Sequence, residues 1–124
     1  MPTLKRDEAR QERIAQEIVA DAKSGQEQAM GWYCYLEDQL HFPFSAKCIA
    51  PRAISPLCKG DEVEILGMAP EEECFCEMFV TTPWENRTLA VPLMQLQAIT
   101  GDRQTKQAVE DWHYWMHQGY RFSD

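Results

Sequence analysis

The sequence predicts an α+β fold: a small antiparallel sheet or SH3-like barrel, flanked by N-terminal helices and a C-terminal helix. Three observations point there. Apolar residues recur at helical spacing over residues 1–40, and the period changes to two over residues 42–96. Helical spacing then returns over residues 105–118. No repeat or linker interrupts the pattern, so residues 1–124 are expected to form a single domain. With 44% apolar residues, a chain of 124 can bury a core of its own.

The first helix is expected over residues 4–24. Thr3 is its cap, Asp7 and Glu8 lie in its early turns, and Gly25 is its stop. Ile14, Ala15, Ile18, Val19 and Ala22 form one narrow stripe. A second helix is expected over residues 28–40, from the spacing of Met30, Tyr33, Leu36 and Leu40 with Trp32 beside them. Gly31 weakens it by roughly 1 kcal/mol relative to Ala. Pro43 closes it. Glu37 and Asp38 then fall in its last turn, where carboxylates oppose the helix dipole.

Four strands follow, at residues 44–49, 61–66, 74–84 and 88–91. In the second, Val63 and Ile65 point inward and Glu62 and Glu64 outward. Residues 67–73 form a connection holding Pro70 and Glu71, Glu72 and Glu73. In the third strand Cys76, Met78, Val80 and Thr82 share a face. Lys59-Gly60 and Glu85-Asn86-Arg87 are turns. The last helix shows an apolar stripe of Ala108, Val109, Trp112, Trp115 and Met116, with Gly119 as its stop.

Charge is unevenly spread. The chain carries 20 acids against 12 Lys and Arg, a net of −8. Residues 37–85 hold ten of those acids and three of the bases, so nearly all the excess lies in the middle. This disfavours nucleic acid and anionic membranes, whose affinity depends on Lys and Arg. The longest charge-free run, residues 88–101, is too short and polar to span a bilayer. The first residues lack an apolar signal segment, and the five cysteines are odd in number, which fits a reduced cytoplasmic setting. Composition alone is also satisfied by a solvated face that keeps a small domain soluble.

Calcium takes six to eight oxygen ligands, and consecutive acids on a flexible connection can splay around it. Glu71-Glu72-Glu73, flanked by Asp61, Glu62, Glu64 and Glu77, is such a group. No EF-hand loop is present. Cys74-Phe75-Cys76 is C-x-C and no C-x-x-C occurs, so buried free thiols are expected rather than a zinc ribbon. His113 and His117 are four apart, a spacing that can hold zinc, with Glu110 on the same face. With Lys106, these residues also read as the solvated side of the last helix. The Glu37–Asp38 pair has no accompanying nucleophile, and hydrolase, nucleotide-binding and zincin motifs are missing, so no enzyme is expected.

Four segments together carry a family resemblance. They are the run from Trp32 to Ala46 (Trp-Tyr-Cys-Tyr-Leu-Glu-Asp-Gln-Leu-His-Phe-Pro-Phe-Ser-Ala), then Lys59-Gly60-Asp61-Glu62-Val63, Leu89-Ala90-Val91-Pro92-Leu93 and Asp111-Trp112-His113-Tyr114-Trp115. Their order resembles the cyanobacterial calcium-binding protein family CcbP over residues 28–120. The resemblance implies a small acidic protein that binds calcium without EF-hands and buffers or senses it. The acids in the resembling segments are Glu37, Asp38, Asp61, Glu62, Glu64, Glu71, Glu72 and Glu73. Capture by preplaced carboxylates and water, with little conformational change, is expected. Affinity should lie somewhere in roughly 10⁻⁷ to 10⁻³ M. A regulatory protein could read the loaded form. The other reading is an SH3-like interaction module whose acidic face docks a basic partner.

Overall fold

The computed structural model describes residues 7–20, 22–120 and 122. Helix α1 (Glu8–Arg13) starts at Asp7, whose side chain accepts from the Arg10 N–H. It runs directly into a π turn, Ile14–Ile18, which buries both isoleucines. The expected helix over 4–24 therefore ends at Ile18, and its first three residues lie outside the described ones. Ser24 caps helix α2 (Gly25–Gln39) by accepting from the Glu27 N–H, so Gly25 opens a helix rather than closing one. Glu27 accepts from the Lys23 N–H in return, a variant of the capping box. Gly31 is required by close approach: a Cβ there would stand 2.2 Å from the Ile18 carbonyl oxygen of the π turn.

Strand β1 (Phe44–Cys48) is the centre of a three-stranded antiparallel sheet, between β2 (Glu62–Ile65) and β6 (Leu96–Ala98). Phe44 pairs with Ile65, Lys47 with Glu62 and Cys48 with Leu96. A second such sheet has β4 (Phe79–Trp84) between β3 (Gly67–Met68) and β5 (Arg87–Pro92). Only Leu66 separates β2 from β3, and its N–H donates to the Thr81 carbonyl. The chain thus passes from one sheet into the other, which realises the expected small antiparallel sheet as two. Glu85 and Asn86, both at positive φ, make the tight β4–β5 turn.

Two departures have local causes. The strand expected over 74–84 begins only at Phe79, because Glu71–Glu73 forms a 3-10 turn and the buried Cys74 sulfur accepts from the Phe79 N–H at 3.4 Å. Met78, Val80 and Thr82 are buried as expected, whereas Cys76 is exposed. Only Cys48 and Cys74 of the five free cysteines are buried. β3 and β6, two and three residues long, are too short to show a period.

Helix α3 (Arg103–His117) packs across α2. Trp32 meets Trp112 edge-on at 5.0 Å and Trp115 at 5.6 Å, in the middle of one continuous apolar core. Asp102 caps α3 through the Thr105 N–H at 2.8 Å and also binds His41 Nδ1. Its carboxyl is held at about 2, chiefly by the Thr105 backbone bond and then by His41. Asp111 is fully buried. One of its oxygens lies 2.6 Å from Arg13 and 3.0 Å from Arg10 Nε, and the other accepts from the Tyr35 hydroxyl at 2.7 Å. The Arg10 contact is a close charge pair without hydrogen-bond geometry. This carboxylate therefore fastens α1 and α2 to α3. His113 is half-buried rather than solvated: its Nε2 meets the Leu96 carbonyl at 2.7 Å, and burial pushes the imidazole below its ordinary value.

Candidate metal centre

Tyr33 and Glu37 are one turn apart on α2, and the β3–β4 connection lies against the same helix. The Tyr33 hydroxyl donates to the Ala69 carbonyl at 2.8 Å, just before the Glu71–Glu73 turn. Burial raises the Tyr33 phenol above its ordinary value, and Glu37, Cys74, Glu71 and Glu72 raise it further. The charges of Glu37, Glu71 and Glu72 therefore act on one hydroxyl, although the first stands 34 positions before the second in the chain. All three are exposed. Glu73 continues the same turn.

The other predicted acids are placed differently. Asp38, also exposed, turns toward Gln39, whose amide donates to it at 3.0 Å and which is itself bonded to Gln104 of α3. Asp61 is half-buried and occupied by the turn before β2, accepting from the Cys58 N–H at 2.8 Å. Glu62 and Glu64 point outward from β2 as expected, with Glu62 opposite Lys47. Glu77 is neutralised by Arg52 at 2.5 Å. Sequence reasoning placed Tyr33 only in the apolar stripe. Its four-residue spacing from Glu37 was the available signal that the two share a face.

Among the described residues no three Asp, Glu, His or Cys side chains converge closely enough to hold one ion. Among the described residues the carboxylates are therefore not preplaced around an ion, contrary to expectation. The donor chemistry nevertheless fits calcium. Glu37, Glu71 and Glu72 offer only hard oxygens, on a helix end and a short 3-10 turn, where exposed side chains can swing together. Calcium accepts such irregular geometry and magnesium does not. A cation there would also relieve the adverse placement of Glu37 in the last turn of α2.

Comparison with known proteins decides the family. The Calci_bind_CcbP model, described as calcium binding, matches residues 12–116. The chain belongs to the CcbP family. The crystal structure of Anabaena CcbP has a TM-score of 0.85 and 40% identity, and the match covers 98% of this chain and all of that one. A second CcbP-like structure, a calcium binding protein in the calcium-binding form, is 39% identical at TM-score 0.85 with the same coverage. No curated protein matches the chain. The two CcbP-type structures share the α+β architecture described above, and among the described residues no helix is long and apolar enough to cross a membrane.

Proposed function

We propose that the chain binds Ca2+ through surface carboxylates, without an EF-hand, and buffers the free ion. The observation that carries this reading is the calcium-binding family match across residues 12–116. Glu37, Glu71 and Glu72 would hold the ion, a reading supported by the charge of all three acting on the Tyr33 phenol. Asp38 and Glu73 adjoin them in sequence, and Asp61, in the turn before β2, with Glu62 and Glu64 on that strand, completes the acidic set. The residues' own work is to offer carboxylate oxygens and to gather by side-chain rotation, the mutual repulsion this raises being offset by the cation. Buffering is favoured over sensing, because the acids sit on elements fixed to one core and most of the change needed is in side chains. A regulatory protein partner belongs to the sensing role. A reduced cytoplasmic setting is supported by five free cysteines.

The test is calorimetric titration of the metal-free protein with Ca2+, repeated with Mg2+. Ca2+ should bind the more tightly; equal affinities would mean diffuse charge attraction only. Glu37→Gln and Glu72→Gln should each weaken Ca2+ several-fold, and so should Asp38→Asn. An unchanged curve for any of these removes that residue from the site.

A further inference from the structure

We propose that His113 and His117 form a chelating pair for a divalent transition-metal ion that prefers imidazole, separate from the carboxylates that would hold calcium. The two residues are one turn apart on α3, and their rings face each other edge-on with centroids 6.1 Å apart. The chemistry of His113 is decided by its partner. Its Nε2 lies 2.7 Å from the Leu96 carbonyl oxygen. A carbonyl only accepts, so Nε2 carries the proton and Nδ1 the lone pair, with the Leu93 carbonyl also against the ring. A backbone carbonyl that fixes the tautomer and orientation of an imidazole is the usual outer support of a metal-binding histidine.

The surroundings leave room for an ion. The two rings line an open groove of about 530 Å³ between α3 and β6, together with Leu96, Lys106 and Glu110. His117 is exposed and free to rotate toward its neighbour. Metal-bound imidazole nitrogens stand about 2.0–2.1 Å from the ion, which brings two ligating rings somewhat closer than these are now. That adjustment falls to His117, since His113 is held by Leu96. Glu110 is one turn before His113, with Arg10 3.3 Å from its carboxylate, and Lys106 is nearby, so the groove has no strong charge of either sign. Selectivity therefore comes from ligand type: imidazole suits nickel, copper and zinc, whereas calcium takes oxygen. Two nitrogens from the protein leave the remaining positions to water.

The experiment titrates the untagged full chain with Ni2+ in saturating Ca2+, after alkylation of the exposed Cys34, Cys58 and Cys76. Excess Ca2+ occupies the carboxylates, so failure here and failure of the calcium reading are distinguishable. His113→Ala and His117→Ala should each weaken Ni2+ by roughly tenfold or more, by comparison with the loss on removing even an outer-shell partner. His41→Ala should change nothing, and Ca2+ affinity should be the same in all variants. Should His113→Ala fail to fold, the exposed His117→Ala decides alone. Absence of Ni2+ binding in the parent chain, or unchanged binding in His117→Ala, overturns the proposal.

Discussion

Asp111 and the Tyr33 carboxylates are the same functional group in opposite surroundings. Asp111 has no exposed surface and is matched by Arg10, Arg13 and Tyr35. Glu37, Glu71 and Glu72 are exposed, and their charges act on one phenol. Desolvating a carboxylate is costly unless partners replace the water, so the buried one is committed to the fold. The exposed ones retain their water and their repulsion, which a cation from solution can relieve. What separates structural from available charge in this protein is whether the chain supplies its own cation alongside.

The sharpest way to break this comparison is Asp111→Ala. It would leave two guanidinium groups and a phenol facing an apolar gap, and should cost about 3–5 kcal/mol, as removal of one partner from a buried pair does. Urea melts measure it. Ca2+ affinity of the folded fraction should be unchanged, because Asp111 fastens helices and touches none of the proposed ligands. A loss as small as that of a surface pair would erase the distinction drawn here.

The exposed cluster should respond to ions instead. A ligand bound only by the folded state stabilises it by about 2.7 kcal/mol at a hundredfold excess over Kd. Thermal melts in millimolar Ca2+ should therefore rise by several degrees over melts in chelator. NaCl at matched ionic strength should recover only part of the gain, since screening relieves repulsion without coordination. Full recovery by NaCl would show that the cluster is only a charged surface.

Gly31 tests how tightly the committed side is built. Its missing Cβ leaves space for the Ile18 carbonyl, a backbone atom that cannot rotate away. Gly31→Ala should cost about 1–3 kcal/mol, as overpacking does, despite the better helix propensity of alanine. An increase in stability would show that the π turn shifts freely against α2.

Much of this architecture was legible in the sequence. Alternating Val63 and Ile65 marked β2, and the Trp112–Trp115 stripe marked α3, because their periods follow from burial of one face. The first helix was read too long, because the stripe from Ile14 to Ala22 continues through residues that do not continue the helix. A Ser24-to-Glu27 cap is a local hydrogen-bond signal that outweighs Gly25 as a stop. The acidic excess between residues 37 and 85 was legible by counting. Its partition was not: nothing in a sequence says that Arg52 takes Glu77, that Asp61 holds a turn, or that the charges of Glu37, Glu71 and Glu72 reach one phenol. The last is a consequence of long-range packing of α2 against the β3–β4 connection. Asp111 likewise stands in the Asp111–Trp115 segment with no local sign that it is a buried carboxylate.

Asp102 offers the smallest effect and refines the comparison, since it is an exposed carboxylate that the fold nevertheless uses. It caps α3 and binds His41, and its carboxyl is lowered from 3.8 to about 2. A folded-state value below the unfolded one means that the unfolded chain takes up the proton more readily. The associated stability is therefore complete above about pH 4 and is lost as pH falls toward 2. Asp102→Ala should be less stable than the parent at neutral pH, with a gap that narrows below about pH 4. Denaturant melts of the two proteins across this range measure the gap, and titration of every other carboxylate is common to both and cancels. A gap that persists undiminished to pH 2 would mean that the charge of Asp102 contributes nothing to the cap, and that availability in this protein follows exposure alone.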